Sequence, residues 1–203
     1  MPKVTEEHLA RRRRQILDAA AACFERKGLP ATSMQDILTE SGLSAGAVYR
    51  YFPSKTAIVE AIMTSTVGDL HTRLAALVDA DPLPPLDDVI TGFAVHLEEM
   101  LAAGGPVRLA PQAWALALHD PELRKHVQET MGLMVAAWVR YVRRLVDTGA
   151  LPPGTDAAAV GRTIFGILPG FLLQTLILEN VSAGDLRTGI RALLRPHLTA
   201  PTA

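Results

Sequence analysis

The sequence predicts an all-α fold of about nine helices, with a small N-terminal three-helix domain and a larger helical body. Three observations point there. Apolar residues recur three or four positions apart through almost the whole chain, and the alternation of a half-buried strand is absent. Helix starts are marked by Ser, Thr and Asp, and helix stops by Gly and Pro. The chain has 203 residues, 49% of them hydrophobic, which is ample for a packed core.

The elements follow in order. Leu9, Arg13, Ile16, Ala20 and Phe24 form one stripe on a first helix, which Gly28 and Pro30 end. Thr32-Ser33-Met34-Gln35 has the capping-box form, a hydroxyl followed three residues later by Gln. A short second helix then turns Met34, Ile37 and Leu38 inward. Ser41-Gly42-Leu43 breaks it, and Gly42 supplies the positive φ of a tight turn. Ser44 caps a third helix from Ala45 to Phe52. Pro53 stops that helix, and Ser54 caps a long fourth one containing Ile58, Ala61 and Ile62. Asp81-Pro82-Leu83-Pro84-Pro85 is a break before a fifth helix, about Asp87 to Ala103. Gly104-Gly105-Pro106 separates it from a sixth, ending near Leu118. Asp120 caps a seventh with Pro121 at its first position, and Gly149 closes it. Thr155 or Asp156 begins an eighth, reaching about Glu179. Ser182 to Leu198 holds the last.

Composition narrows the function classes. With the single cysteine Cys23 no intrachain disulfide forms, which fits a reducing, cytoplasmic setting. Residues 1–20 hold the run Arg11-Arg12-Arg13-Arg14 and no apolar signal segment. The longest apolar stretch, Thr163 to Leu178, is shorter than a span and is interrupted by Gly166, Pro169, Gly170 and Gln174; it reads as a buried core helix, and no membrane partner is expected. Residues 1–55 carry nine Lys/Arg against six Asp/Glu, and the remainder eleven against fifteen. A basic end on an acidic body fits an N-terminal segment that meets a polyanion.

Thr32 to Phe52 has the dimensions of a helix-turn-helix. Its second helix must enter a major groove about 12 Å wide, so its outer face needs small or planar polar residues. Ala45, Gly46 and Ala47 are small, and Tyr49 and Tyr51 present hydroxyls, while Val48 and Phe52 face inward. Lys55, and the amides at the start of the second helix with Thr32 and Ser33, suit phosphates. Gln35 suits a base edge or a phosphate. The candidate DNA-contacting set is Thr32, Ser33, Gln35, Ser44, Ala45, Gly46, Tyr49, Tyr51 and Lys55. Tyr49 and Tyr51 have a second reading, as cover for a core edge. Arg11 to Arg14 read either as a solvated face or as a DNA contact. Four successive residues point four ways, so at most two of them face one surface.

Gly28-Leu29-Pro30-Ala31-Thr32-Ser33-Met34-Gln35-Asp36-Ile37-Leu38 and Ser41-Gly42-Leu43-Ser44-Ala45-Gly46-Ala47-Val48-Tyr49-Arg50-Tyr51-Phe52-Pro53-Ser54-Lys55 resemble the DNA-binding domain of the tetracycline-repressor-like (TetR) family. The resemblance runs without a gap through Ile62, and its spacing of Gly42, Tyr49, Phe52 and Lys55 is more specific than a generic helix-turn-helix. It implies a nine-helix Ω-shaped homodimer whose first three helices bind an operator and whose remaining helices bind a small-molecule effector. By position it assigns Ala45, Gly46, Tyr49, Tyr51 and Lys55 to recognition-helix contacts and Gln35 to a second-helix contact. The domain boundaries that follow are 8–54 for DNA binding and 55–203 for ligand binding and dimerisation. Ala45 and Ala47 are smaller than the residues most members carry there, which shifts readout toward Tyr49, Tyr51, Gln35 and DNA shape.

The body shows no catalytic constellation. His8, His71, His96, His119, His126 and His197 form no i, i+4 pair with a third ligand, so neither metal nor cofactor is expected, nor an enzyme. Phe93, His96, Met100, Trp114, Met134, Trp138, Phe165 and Phe171 fall on the fifth to eighth helices. They read either as plain packing or as the lining of a cavity for an apolar ligand. Trp114 to Arg124 is loosely similar to the C-terminal domain of the choline-responsive betaine regulators, without implying choline for this chain. The resemblance places the dimer surface on the last two helices, where Leu172, Leu176, Leu186, Ile190 and Leu193 exceed the needs of one small core. The function implied is a repressor released from a palindromic operator by a small, largely apolar ligand. The alternative is a DNA-binding protein without an effector, or one controlled by a protein partner.

Overall fold

The computed structural model describes residues 6–194. Among them are nine α-helices and no strand: α1 (Glu6–Ala31), α2 (Met34–Ser41), α3 (Ala45–Tyr51), α4 (Lys55–Val78), α5 (Leu86–Ala102), α6 (Ala110–Ala117), α7 (Pro121–Asp147), α8 (Ala157–Leu178) and α9 (Ala183–Leu193). A single 3-10 turn, Pro106–Leu109, precedes α6. The all-α expectation holds. The expected continuation of the last helix to Leu198, and His197, lie outside the described residues.

The local signals explain most boundaries. Gly28 takes φ 78°, ψ 159°, so the regular path of α1 breaks there. Gly42 is left-handed at φ 64° after α2. Ser44 accepts the Ala47 amide at the start of α3. Asp120 accepts the amides of Glu122 and Leu123 at the start of α7, at 3.0 and 3.1 Å. Asp156 caps α8 and Ser182 caps α9. One cap differs from the expected box. Ser33 rather than Thr32 is the N-cap of α2, and Asp36 rather than Gln35 is its reciprocal partner. Thr32 is buried instead, donating to Gly28 O at 2.8 Å, which holds the end of the broken helix.

The chain forms two compact units, residues 6–68 with 106–130 and residues 69–105 with 131–194. The first contains α1, α2, α3 and α6. Its interior is built on Ile16, Ala20, Phe24, Leu29, Ile37, Val48 and Ile58. Two long-range bonds hold 106–130 to this unit: Leu29 N donates to Gln112 Oε1 at 2.8 Å, and the Thr64 hydroxyl lies 3.0 Å from His126 Nε2.

In the second unit α5 packs on both α8 and α9. Phe93, Trp138 and Tyr141 form its aromatic centre, with ring centroids 5.6 and 5.9 Å apart in tilted and edge-on geometry. The Tyr141 hydroxyl donates to Pro84 O at 2.6 Å, and burial pushes its ionisation well up. Arg187 and Arg191 of α9 pair with Asp88 and Asp87 of α5, each at 2.6 Å. Gly161 lets α8 approach α7: a Cβ there would lie 2.9 Å from Val139 N.

The reading of Thr163 to Leu178 as a buried core helix is corrected. Helix α8 is longer, 22 residues, and buries only Gly161, Ile164, Leu168, Phe171 and Leu172. By length and composition it is apolar enough to cross a membrane, yet its burial is one-sided. Leu173, Ile177 and Leu178 stand exposed on it, as do Leu193 and Leu194 at the end of α9.

Candidate nucleic-acid interface

The outer face of the third helix is the candidate interface. Seven residues are too few for a helix to persist alone, so anchoring decides its position. Val48 is fully buried and Phe52 almost so. The Arg13 guanidinium lies 5.2 Å over the Phe52 ring, which ties α1 to the end of α3. What remains outside is Ala45, Gly46, Tyr49 and Arg50, all exposed. Tyr49 is 47% exposed. Tyr51 is half-buried, so the core-edge reading describes part of its surface. A Cβ at Gly46 would meet nothing within 4 Å. The chain's own packing therefore does not require glycine there; close approach from outside would.

Three expected contacts are placed otherwise. Thr32 is 2% exposed and its hydroxyl is spent on Gly28, so it offers nothing to a phosphate. The Ser33 amide and hydroxyl both turn to Asp36 Oδ2, at 2.8 and 2.7 Å. The one-residue shift of the capping box thus places a carboxylate of the chain itself at the start of α2, where an anion would otherwise sit. Lys27 reaches that carboxylate at 2.6 Å. Lys27, then the Ser33 amide and hydroxyl, hold Asp36 well below the usual carboxylate range. Because the folded value is depressed, the clamp is fully present above the ordinary Asp value of about 4 and is lost as pH falls below it.

Lys55 is the third. Its Nζ donates to Leu29 O and Thr32 O, each at 2.8 Å, and to Pro30 O at 3.4 Å. An ammonium has three donors, and three carbonyls at the end of α1 and in the link to α2 take them. Lys55→Ala is expected to cost about 1 kcal/mol of stability through carbonyls left unpaired in a part-buried position. The slope of operator affinity against salt is expected to stay unchanged. A melting curve and gel shifts across salt concentrations check both; a slope flatter by about one unit would restore the phosphate role.

The arginine run splits as successive helical positions must. Arg12 donates to Gln15 Oε1 at 2.9 Å, and Arg13 covers Phe52. Arg11 and Arg14 line an open groove of about 590 Å³ with Gln15, Asp18, Ala22 and Glu40. Gln35 and Ser44 are exposed at the expected places. Gln15 and Gln112 were not singled out from sequence. Gln15 Nε2 donates to Ser41 O at 2.8 Å, joining α1 to the end of α2. An isolated Gln on a helix face carries no sequence signal for such a bond. Cys23 is buried, and burial pushes its thiol up, so it stays protonated.

The candidate ligand residues separate. Phe93, Trp138, Met134 and Phe171 are buried in the second unit, and Met100 and Phe165 are half-buried there. Trp114 stands half-buried on α6 in the first unit. His96 is corrected: rather than an apolar interior it lines an open polar groove with Arg73, Asp88, Glu99 and Arg187, its Nδ1 3.3 Å from Glu99. Among the expected dimer residues Leu172 and Ile190 are buried in the protomer's own core. Leu176 and Leu186 are half-buried, and Leu193 is 69% exposed.

A seven-residue helix anchored on two side chains, capped by Ser44 and preceded by a left-handed glycine turn, defines a helix-turn-helix DNA-binding regulator. Comparison with known proteins agrees. Residues 16–62 match the model of bacterial regulatory proteins of the tetR family, and residues 105–199 match the C-terminal model of BetI-type transcriptional repressors. The chain belongs to the TetR family and is a transcriptional regulator, not an enzyme. It is 27% identical to the HTH-type transcriptional regulator YfiR of Bacillus subtilis (strain 168), over 90% of this chain and 88% of that one. Among solved structures it resembles Salmonella enterica GusR at 25% identity and TM-score 0.73, covering 95% and 98% of the two chains. The SmeT–triclosan complex shares the fold at 23% identity and TM-score 0.69, covering 95% and 96%.

Proposed function

We propose that this chain is a cytoplasmic, homodimeric repressor that holds a palindromic operator and is released by a small, largely apolar ligand. Residues 8–54 read the DNA, and 55–203 carry the ligand site and the dimer surface. One observation carries the DNA reading: the outer face of α3 is bare. Gly46 opens onto free space and Tyr49 stands half out of the protein, while Val48 and Phe52 lock the inner face. Two such helices related by a two-fold axis would read two half-sites. The contacting set that this face supports is Gln35, Ser44, Ala45, Gly46, Tyr49 and Tyr51.

The ligand half is supported by the apolar interior of the second unit around Phe93, Met134, Trp138 and Phe171. Proteins of the same fold are solved in complex with triclosan (SmeT) and with stearoyl-CoA (FadR of Bacillus subtilis), and an apolar effector is the reading taken for this chain. A ligand that stabilises one dimer geometry shifts the spacing of the recognition helices and weakens operator binding.

Selection from random double-stranded DNA gives the operator. On it, Tyr49→Ala is expected to cost at least about 1 kcal/mol, roughly fivefold in Kd. Unchanged gel-shift affinity would remove Tyr49 from the interface. A screen in which no apolar compound releases the DNA would favour the effector-independent alternative.

A further inference from the structure

We infer that the indole N–H of Trp138 is the polar anchor for a neutral effector that carries a hydrogen-bond acceptor on an apolar body. This rests on the effector-released reading above and adds the chemistry of the ligand. Trp138 is fully buried, and no protein atom accepts its Nε1 hydrogen. Buried indole N–H groups ordinarily find a partner. Its ring neighbours do not supply one. Phe93 has no acceptor beyond its ring face, and the Tyr141 hydroxyl, which donates to Pro84 O, could still accept through its oxygen but forms no bond with Nε1. The buried polar side chains among the described residues, Thr32, Ser41 and Thr130, all belong to the first unit. Around Trp138 the interior of the second unit is thus apolar; the other buried donor without a partner there, Arg187 Nε, belongs to a guanidinium that is already paired with Asp88.

Such a donor destabilises the core until an acceptor reaches it, so a molecule that brings one is held more tightly than its hydrocarbon equivalent. A cation would meet the positive end of the N–H. An anion would lose its hydration with no buried cation to compensate. A neutral ketone, ester, amide or ether oxygen remains. Met134, one turn before Trp138 on α7, is buried on the same side and supplies an adaptable wall.

The test uses the full-length ¹⁵N-labelled protein and three probes: acetophenone, its near-isostere cumene, and choline. The two tryptophan indole signals are followed, with Trp114 as internal reference. Acetophenone is expected to move the Trp138 indole proton downfield and to bind about tenfold more tightly than cumene. Trp138→Phe should bring that ratio close to one. If this variant fails to fold, the indole shift in the native protein decides alone. A Trp138 signal unmoved by saturating acetophenone, no binding of acetophenone, or a preference for choline overturns the anchor. Operator release is measured on the same samples. A shift without release supports the anchor and sinks the effector-released reading. Release with Trp138 unmoved overturns the anchor and leaves that reading standing.

Discussion

Phe52→Ala is expected to abolish operator binding by releasing the recognition helix. The ring is 3% exposed and closes the inner face of α3 one turn after Val48. Its backbone is already extended, at φ −138°, and its amide makes the last helical bond to Val48 O at 3.0 Å. Truncating a buried Phe to Ala costs about 3–5 kcal/mol, against a total stability of about 5–15 kcal/mol for a domain. The loss falls on a seven-residue helix with little stability of its own. It also leaves the Arg13 guanidinium without its aromatic partner. Thermal unfolding should shift downward and the gel shift should vanish. Phe52→Leu, which keeps most of the volume, should retain both. Full operator affinity in the alanine variant would show that α3 is held by something other than this anchor.

Ile177→Arg is expected to leave the protomer folded and to break the dimer. Ile177 is 71% exposed, so its own chain loses little, within about 0.5 kcal/mol. It lies four residues after Leu173, which is also exposed, and Leu178, Leu193 and Leu194 are further uncovered apolar side chains of the same unit. Gly166 and Gly170, eleven and seven residues before it, have open space where a Cβ would stand. Small and apolar positions spaced along one helix face suit close approach by a second copy. An arginine there would be buried unpaired in a dimer formed on this face, a cost of several kcal/mol. Sedimentation should show a monomer with a native helical spectrum. Operator affinity should fall by about 100-fold or more, because one half-site no longer recruits the other. A dimer that persists would move the interface off this face.

The helical class, the nine elements and the recognition helix were legible because their signals are short-range. A cap, a left-handed glycine and an apolar stripe act within three or four residues, and Ser44, Gly42, Val48 and Phe52 stand where their spacing puts them. The capping box was misread by one residue because two adjacent hydroxyls, Thr32 and Ser33, both precede α2, and only folding shows which one is buried. Partners far apart in sequence were not legible. Lys55 is 26 residues from Leu29, and Gln112 is 83 from it, so packing decided that one caps a broken helix and the other accepts a stray amide. Apolar periodicity marks which side of α8 is greasy, not how much of it the protomer covers. The tertiary structure assigned Leu172 to the protomer's own core and left Ile177 outside, and it left the Trp138 N–H without a partner. Burial is a property of all the surfaces that meet at a point, and no single stretch of sequence contains them.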